Sequence, residues 1–282
     1  MFPLAELCSL GMVSLVRAAL AGGVDVNVQN KDGETALMRA SVNCSHHNHV
    51  TIMKLLLEHP SIDVNKEDRI GRTALIHAIQ KGNIKAVKIL LGDRRVDMNC
   101  TIPPLTMAVA GKHPDIFKLI LTNQRVDVNQ TYQSMTALMI ASGKSDVEAA
   151  KLLLNDPRVE VNLVNCKGWS ALLLAIKDRK TFELFLSHER VNVNCVLPPN
   201  NINVLHIAAL KNNVEAVKLI LAEPRFTLAN AVAEPRGTAL SLAAFWKGNG
   251  CTRDVLRELV HHPSIDLDVK HKDGLTIDDM LR

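Results

Sequence analysis

The segment GRTALIHAIQKGNIKAVKILLGDRRVDMN, residues 71–99, decides the fold of this chain. Thr73 stands where it can cap a short helix, accepting from the first-turn N–H groups. Ala74, Leu75 and Ala78 follow at helical spacing and are small enough for a neighbouring element to approach closely. Gly82 then breaks the helix, because it alone takes the left-handed backbone of a tight turn without cost. A second helix runs through Ala86, Val87, Leu90 and Leu91, an apolar stripe with Lys85 and Lys88 turned outward. Val96-Asp97-Met98-Asn99 leads into a hairpin-like connection to whatever follows.

Working outward, the same two phrases return along the chain. The Asp-Val-Asn phrase reads VDVN at 24–27, IDVN at 62–65, VDMN at 96–99, VDVN at 126–129, VEVN at 159–162 and VNVN at 191–194, with a worn IDLD at 265–268. The helix-opening phrase starts at Thr35, Thr73, Pro103, Thr136, Ser170, Asn203 and Thr238. A period of about 34 residues is that of a helical solenoid unit. It divides the chain into repeats 28–65, 66–99, 100–129, 130–162, 163–194, 195–230 and 231–268. Residues 4–27 make a short N-terminal capping repeat and 269–282 a truncated C-terminal cap, each expected to turn a polar face to water. Insertions near 43–49 and 246–252 lengthen two inter-helix loops, and KDRKTFE in repeat five makes for a tight turn.

The phrases resemble the ankyrin repeat family, with its G-x-T-P-L-H-x-A-A opening, leucine-rich second helix and closing D-V-N. Ala replaces the motif Pro in most repeats, only His206 stands at the motif His, and longer links such as EHPSIDVN replace the Gly before the closing phrase. The resemblance covers the chain from about residue 10 onward. It implies an all-α ankyrin-repeat solenoid of seven to eight helix pairs with hairpin-like connections, elongated and gently curved, over 1–282 as one array. It also implies a non-catalytic scaffold that binds a protein or peptide on its concave face and hairpin tips. The runner-up is a regulatory module of a larger protein whose effector domain lies elsewhere.

Composition agrees with helix packing. Hydrophobic residues make up 47% but aromatics only 3%, so the core is built of Leu, Ile, Val and Ala. Lys and Arg number 33 against 29 Asp and Glu, and no run of like charge supports nucleic-acid binding. No apolar stretch is long enough to span a membrane, and the N-terminus lacks the basic start of a signal peptide. The six cysteines (Cys8, Cys44, Cys100, Cys166, Cys195, Cys251) are scattered without a C-x-x-C, as free thiols in the cytoplasm or nucleus would be. Phosphate-loop, dinucleotide, zinc-protease and nucleophile-elbow motifs are absent, which argues against an enzyme with a bound cofactor. Cys44, His46, His47 and His49 offer four metal-ligating side chains, but adjacent loop residues seldom converge on one ion, so they read as a solvated loop.

Register turns single positions into rows. The residue before the helix-opening phrase is Glu34, Arg72, Ile102, Met135, Trp169, Ile202 and Gly237, with Tyr132 three residues before Met135. From Ile102 to Ile202 this places a large apolar side chain near each tip, as interface centres do. The end of the first helix gives Asn43, Lys81, Gly111, Lys144, Asp178, Lys211 and Trp246, with Lys177 beside Asp178 and Phe245 beside Trp246. The lysines predict a partner that is acidic, with apolar anchors, bound by a monomer. Arg94 and Arg95 read as solvated residues of the outer connection. The resemblance further implies asparagine hydroxylation at Asn65, Asn99, Asn129 and Asn162, visible as a mass gain of one oxygen atom per site.

Overall fold

The computed structural model describes residues 3–43, 47–235, 237–245 and 253–269. Its packing divides the chain into two units, 1–137 and 138–282, where the repeat pattern alone reads as one array. The first unit holds α1 (Leu4–Ser9), α2 (Val13–Ala21), α3 (Ala36–Val42), α4 (His47–Glu58), α5 (Ala74–Gln80), α6 (Ile84–Gly92), α7 (Pro104–Ala110) and α8 (Pro114–Leu121). The second holds α9 (Ala137–Gly143), which begins at the boundary, α10 (Val147–Asn155), α11 (Ala171–Ala175), α12 (Arg179–Ser187), α13 (Val204–Leu210), α14 (Val214–Ala222), α15 (Ala239–Phe245) and α16 (Arg253–His261). These helices make eight consecutive pairs among the described residues, an all-α repeat fold. Within the first unit α1, α3, α5 and α7 pack in one row and α2, α4, α6 and α8 in another. In the second unit α10, α12, α14 and α16 form the outer row, and α13 packs on α15.

Each pair starts as the sequence requires. Thr35, Thr73, Ser170, Asn203 and Thr238 accept, through side-chain oxygens, from the backbone N–H three residues on. In repeat three Pro104 serves instead by occupying the first helical position, where no N–H is needed. The second helices are capped too, by Asn83, Asp146, Asp178 and Asn213. Gly82 has φ 65°, and the equivalent turn residues Lys112, Ser145 and Asn212 accept the same left-handed backbone. Three residues separate α11 from α12, the tight turn expected of repeat five.

The closing phrase proves to be a staple. In the first unit the Asn27, Asn65 and Asn99 amides donate to the carbonyls of Ser61, Arg95 and Arg125 in the next repeat. Their oxygens accept from the N–H groups of Asp63, Asp97 and Asp127. In the second unit Asn162, Asn194 and Asn230 repeat the pattern on Arg190, Arg225 and Ser264. Within the phrases Ile62, Val64, Val96, Val126, Val159 and Val191 are buried, so these loops and the core are locked together.

A second ladder corrects the reading of Arg95 as a solvated residue. Its guanidinium pairs with Asp93 at 2.6 Å and donates to Leu57 O at 2.6 Å, near the end of α4. Arg125 likewise donates to Leu91 O of α6, and Arg190 and Arg225 reach Leu154 O of α10 and Leu186 O of α12. Orphan carbonyls near the C-termini of α4, α6, α10 and α12 are thus capped by an arginine from the following repeat.

Two further expectations change. His47 and His49 belong to the first turn of α4, not to a solvated loop; His49 is buried, with Nε2 3.1 Å from Ser9 O. Cys44 and His46 lie outside the described residues. The face of the first repeat turned away from α3 and α4 is apolar where a cap should be polar. There Pro3, Leu4, Leu7, Leu15, Ala18 and Val28 line a cavity of about 460 Å³, and Leu15 is 48% exposed. One hairpin tip is a true two-stranded antiparallel sheet, β1 (Val196–Leu197) with β2 (Ile202–Asn203), and single bridges Tyr132–Met135, Val164–Ser170 and Ala233–Gly237 mark other tips.

Candidate protein-binding groove

In the first unit the tip row comes apart. Ile102 is only 4% exposed, so it belongs to the core and cannot meet a partner. It precedes Pro103 and Pro104, which start α7 at once. Arg72 is also committed: its Nε donates to Asp68 at 2.7 Å and its Nη1 to Gln80. Glu34 is buried against Asn30 and Arg39. Tyr132 and Met135 are half-buried and exchange backbone hydrogen bonds across their turn, Tyr132 N–H to Met135 O at 3.0 Å and the reverse at 2.9 Å.

Asp68 organises this part of the unit. It accepts from the N–H groups of Ile70 and Arg72, from the Arg72 guanidinium and from His77 Nε2 at 3.0 Å. Burial opposes its ionisation, but the hydrogen bonds from Arg72, Ile70 and His77 outweigh it and hold the carboxyl below the usual range. His77 moves down as well, because burial and then the Arg72 charge disfavour a second cation. Burial pushes the Cys8 thiol up to about 12 and Cys100 to about 11, and it raises Cys195. These are packing thiols held protonated, the opposite of a reactive cysteine.

The second unit brings its predicted residues together. Trp169, half-buried at its tip, and Leu174 of α11 form the apolar wall of a cavity of about 340 Å³. Lys167, Lys177 and Lys211 line the same cavity and are exposed. Lys177 reaches across from the end of repeat five to donate its ammonium to Gly143 O, at the end of α9. Lys211 is the C-cap residue of α13, where helix carbonyls favour a cation. Trp169 is set by its backbone: Asn165 Oδ1 accepts from the N–H groups of Lys167 and Trp169, and Gly168 N–H donates to Asn165 O at 2.8 Å. Gly168 itself has φ 79°, and a Cβ there would sit 2.7 Å from Pro198 Cδ. Thus the tip row and the lysine row, separate in sequence, meet at one cavity.

Other candidates fall elsewhere. Ile202 is half-buried on β2, opposite Leu197. Lys144 follows α9 and is exposed; Lys81 is exposed in the first unit, as the C-cap of α5. Trp246 and the side chain of Phe245 lie outside the described residues. Asn65, Asn99 and Asn162 are the ladder residues described above, and Asn129 is half-buried at the same position. Among the described residues no group of three His, Cys, Asp or Glu could hold a metal ion. Nor is any described helix long and apolar enough to cross a membrane.

Sequence reading missed two features. Lys167 lies within the tip turn and joins the cavity only through the fold. Val164, Val196 and Val232 are 56%, 39% and 48% exposed at the same place in three successive tips, two residues after Asn162, Asn194 and Asn230. The corresponding residues of the first unit are Gln29, Glu67, Thr101 and Thr131. That contrast was visible once the repeats were set in register.

Several known proteins are similar to this chain over part of their length. Neurogenic locus notch homolog protein 1 of zebrafish (Danio rerio) is 32% identical over 164 residues, 53% of this chain and 7% of that protein. A fowlpox virus protein named for its ankyrin repeats is 24% identical over 271 residues, 83% of this chain and 45% of its own length. A rice (Oryza sativa subsp. japonica) protein named as a probable E3 ubiquitin-protein ligase is 38% identical over 92 residues, 32% of this chain and 17% of that protein. The chain therefore spans less than half the length of each. A family model described as ankyrin repeats in three copies matches residues 4–102, 105–195 and 177–273. With its helix pairs, capped first helices and Asn-stapled tips, the chain belongs to the ankyrin repeat family, a general protein-interaction module.

Proposed function

We propose that the chain is a non-catalytic adaptor whose second unit holds a segment of a partner protein. The segment lies in the cavity walled by Trp169 and Leu174 and continues along the tips that carry Val164, Val196 and Val232. One observation carries this reading: a half-buried Trp169 and exposed cations converge on one cavity, while Ile102 and Arg72, its counterparts in the first unit, are buried or already paired. Interface centres favour aromatic anchors in pockets ringed by polar groups. Site-specific photocrosslinking in the source cell's extract tests it. A crosslinker placed at Val196 or Lys211 should capture a protein that one placed at Lys218, on the outer helix α14, does not. Equal capture at all three positions would remove the groove from consideration.

Asparagine hydroxylation at Asn65, Asn99, Asn129 and Asn162 stays within this proposal, as a modification that must first open the tip ladder. The small share that the chain covers of the zebrafish and rice proteins supports a second reading, a regulatory module within a longer polypeptide. A catalytic domain encoded in frame beside these repeats would favour it.

A further inference from the structure

We infer that the Trp169 cavity selects an acidic peptide segment carrying a single apolar anchor; this rests on the binding reading above and specifies its ligand. The lining contains three lysines, Lys167, Lys177 and Lys211, and neither Asp nor Glu. Over the whole chain basic and acidic residues nearly balance, 33 to 29, so this asymmetry is local. Among the described residues no carboxylate lies within ion-pair distance of Lys167, Lys177 or Lys211. The acid adjacent in sequence, Asp178, is engaged within its own helix, where its Oδ2 accepts from Thr181 N–H at 2.9 Å and Thr181 Oγ1 at 2.7 Å. That hydrogen bonding holds its carboxyl below the usual range and caps α12.

None of the three ammonium groups is therefore ion-paired among the described residues, and Lys177 acts on Asp178 through its charge alone. Lys177 is oriented by the Gly143 carbonyl, which leaves its charge intact and its remaining donors open to a ligand. Lys211 sits where the α13 carbonyls stabilise a cation. A carboxylate arriving here meets fixed positive charge beside an apolar wall, where pairing is stronger than on open surface. Trp169 and Leu174 leave room for an apolar side chain, and Leu173 and Ile176 close the floor. At about 340 Å³ the cavity lies near the small end of ligand sites, roughly 300–1,000 Å³, which suits a short anchor and not a folded domain. A nucleic-acid strand would need a succession of aromatic platforms, and Trp169 is the one aromatic residue among those lining this cavity.

The test is a random peptide library displayed on phage and panned on the full chain, with winning peptides resynthesised and titrated by fluorescence polarisation. Selected peptides should be enriched in Asp and Glu around one Leu, Ile, Phe or Met. Their affinity should fall about tenfold or more in Lys177→Glu/Lys211→Glu, a pair of exposed positions that leaves the helices intact by circular dichroism, and should weaken as salt is raised. Trp169→Ala should abolish binding, with Trp169→Phe retaining part of it if the tip itself is undisturbed. Selected peptides that need Trp169 but carry no acidic bias would overturn this inference and leave the binding reading standing. Peptides indifferent to Trp169 and both lysines, or no enrichment over an unrelated protein, would overturn both. An oligouridylate that displaces the peptide and depends on the same lysines would overturn the peptide assignment in favour of RNA.

Discussion

Asp68 shows how much one buried carboxylate can organise. Four donors converge on it, from Ile70, from the Arg72 backbone and side chain, and from His77. Asp68→Asn keeps the shape but loses the charge, and should cost about 2 kcal/mol at neutral pH, since a hydrogen bond to a charged group contributes roughly 1.5–3 kcal/mol. The sign of its pH dependence follows from its lowered pKa. The contribution is complete above the unfolded carboxyl value, about pH 4, and is lost as pH falls through the folded value. Urea denaturation should therefore separate wild type from Asp68→Asn at pH 7 and show the gap closing in acid. A gap that stays constant down to the lowest pH would mean the charge is not what Asp68 contributes.

At the scale of the helix pair, turn geometry decides what each glycine tolerates. Gly82 combines a positive φ of 65° with a neighbour, His113 Cε1, that a Cβ would approach to 2.7 Å. Gly92, the last residue of α6, has nothing within 4 Å of such a Cβ. Gly82→Ala should thus destabilise the array by about 1–2 kcal/mol, from the left-handed backbone and the displaced His113 ring. Gly92→Ala should stabilise it by up to about 1 kcal/mol, because Ala is the better helix former. Thermal denaturation of the two variants should move the midpoint in opposite directions. The same element scale explains the ladders: Arg95 and Asn65 each serve the repeat before or after their own, so carbonyls left open in one repeat are met by the next.

For the whole molecule, each unit buries a histidine. His77 lies in the first, and His206 in the second, with Nε2 3.1 Å from Gly237 O and Nδ1 2.7 Å from Asn203 Oδ1. Burial lowers both pKa values, against partial opposition from Asp68 at His77 and from backbone oxygens at His206. The unfolded chain therefore binds protons first. Stability is complete above the ordinary histidine range, about pH 6.5, and declines as pH falls below it, each extra proton steepening the slope by about 1.4 kcal/mol per pH unit. Denaturation midpoints should be level from about pH 8 to 7 and fall toward pH 5, before the Asp68 contribution begins to fail. A midpoint unchanged down to pH 5 would show that neither histidine is held neutral by the fold.

The repeat, its helices and their caps follow from local chemistry that sequence carries openly. Thr73 must cap, Gly82 must turn, and Ala86, Val87 and Leu90 must share a face, whatever lies next door. The recurrence of those signals is what made the family legible. The asparagines and arginines were legible only as recurrences, because their partners lie in the next or previous repeat and a phrase cannot name the carbonyl it will meet. The site was half legible. Register aligned Trp169 with Ile102 and Lys211 with Lys81, but equal register does not bring equal surroundings. Ile102 lies buried just before the two prolines that open α7, and Asp68 claims Arg72, whereas Trp169 stays half-exposed. Only the tertiary structure could decide this, because exposure and charge pairing depend on neighbours distant in the chain.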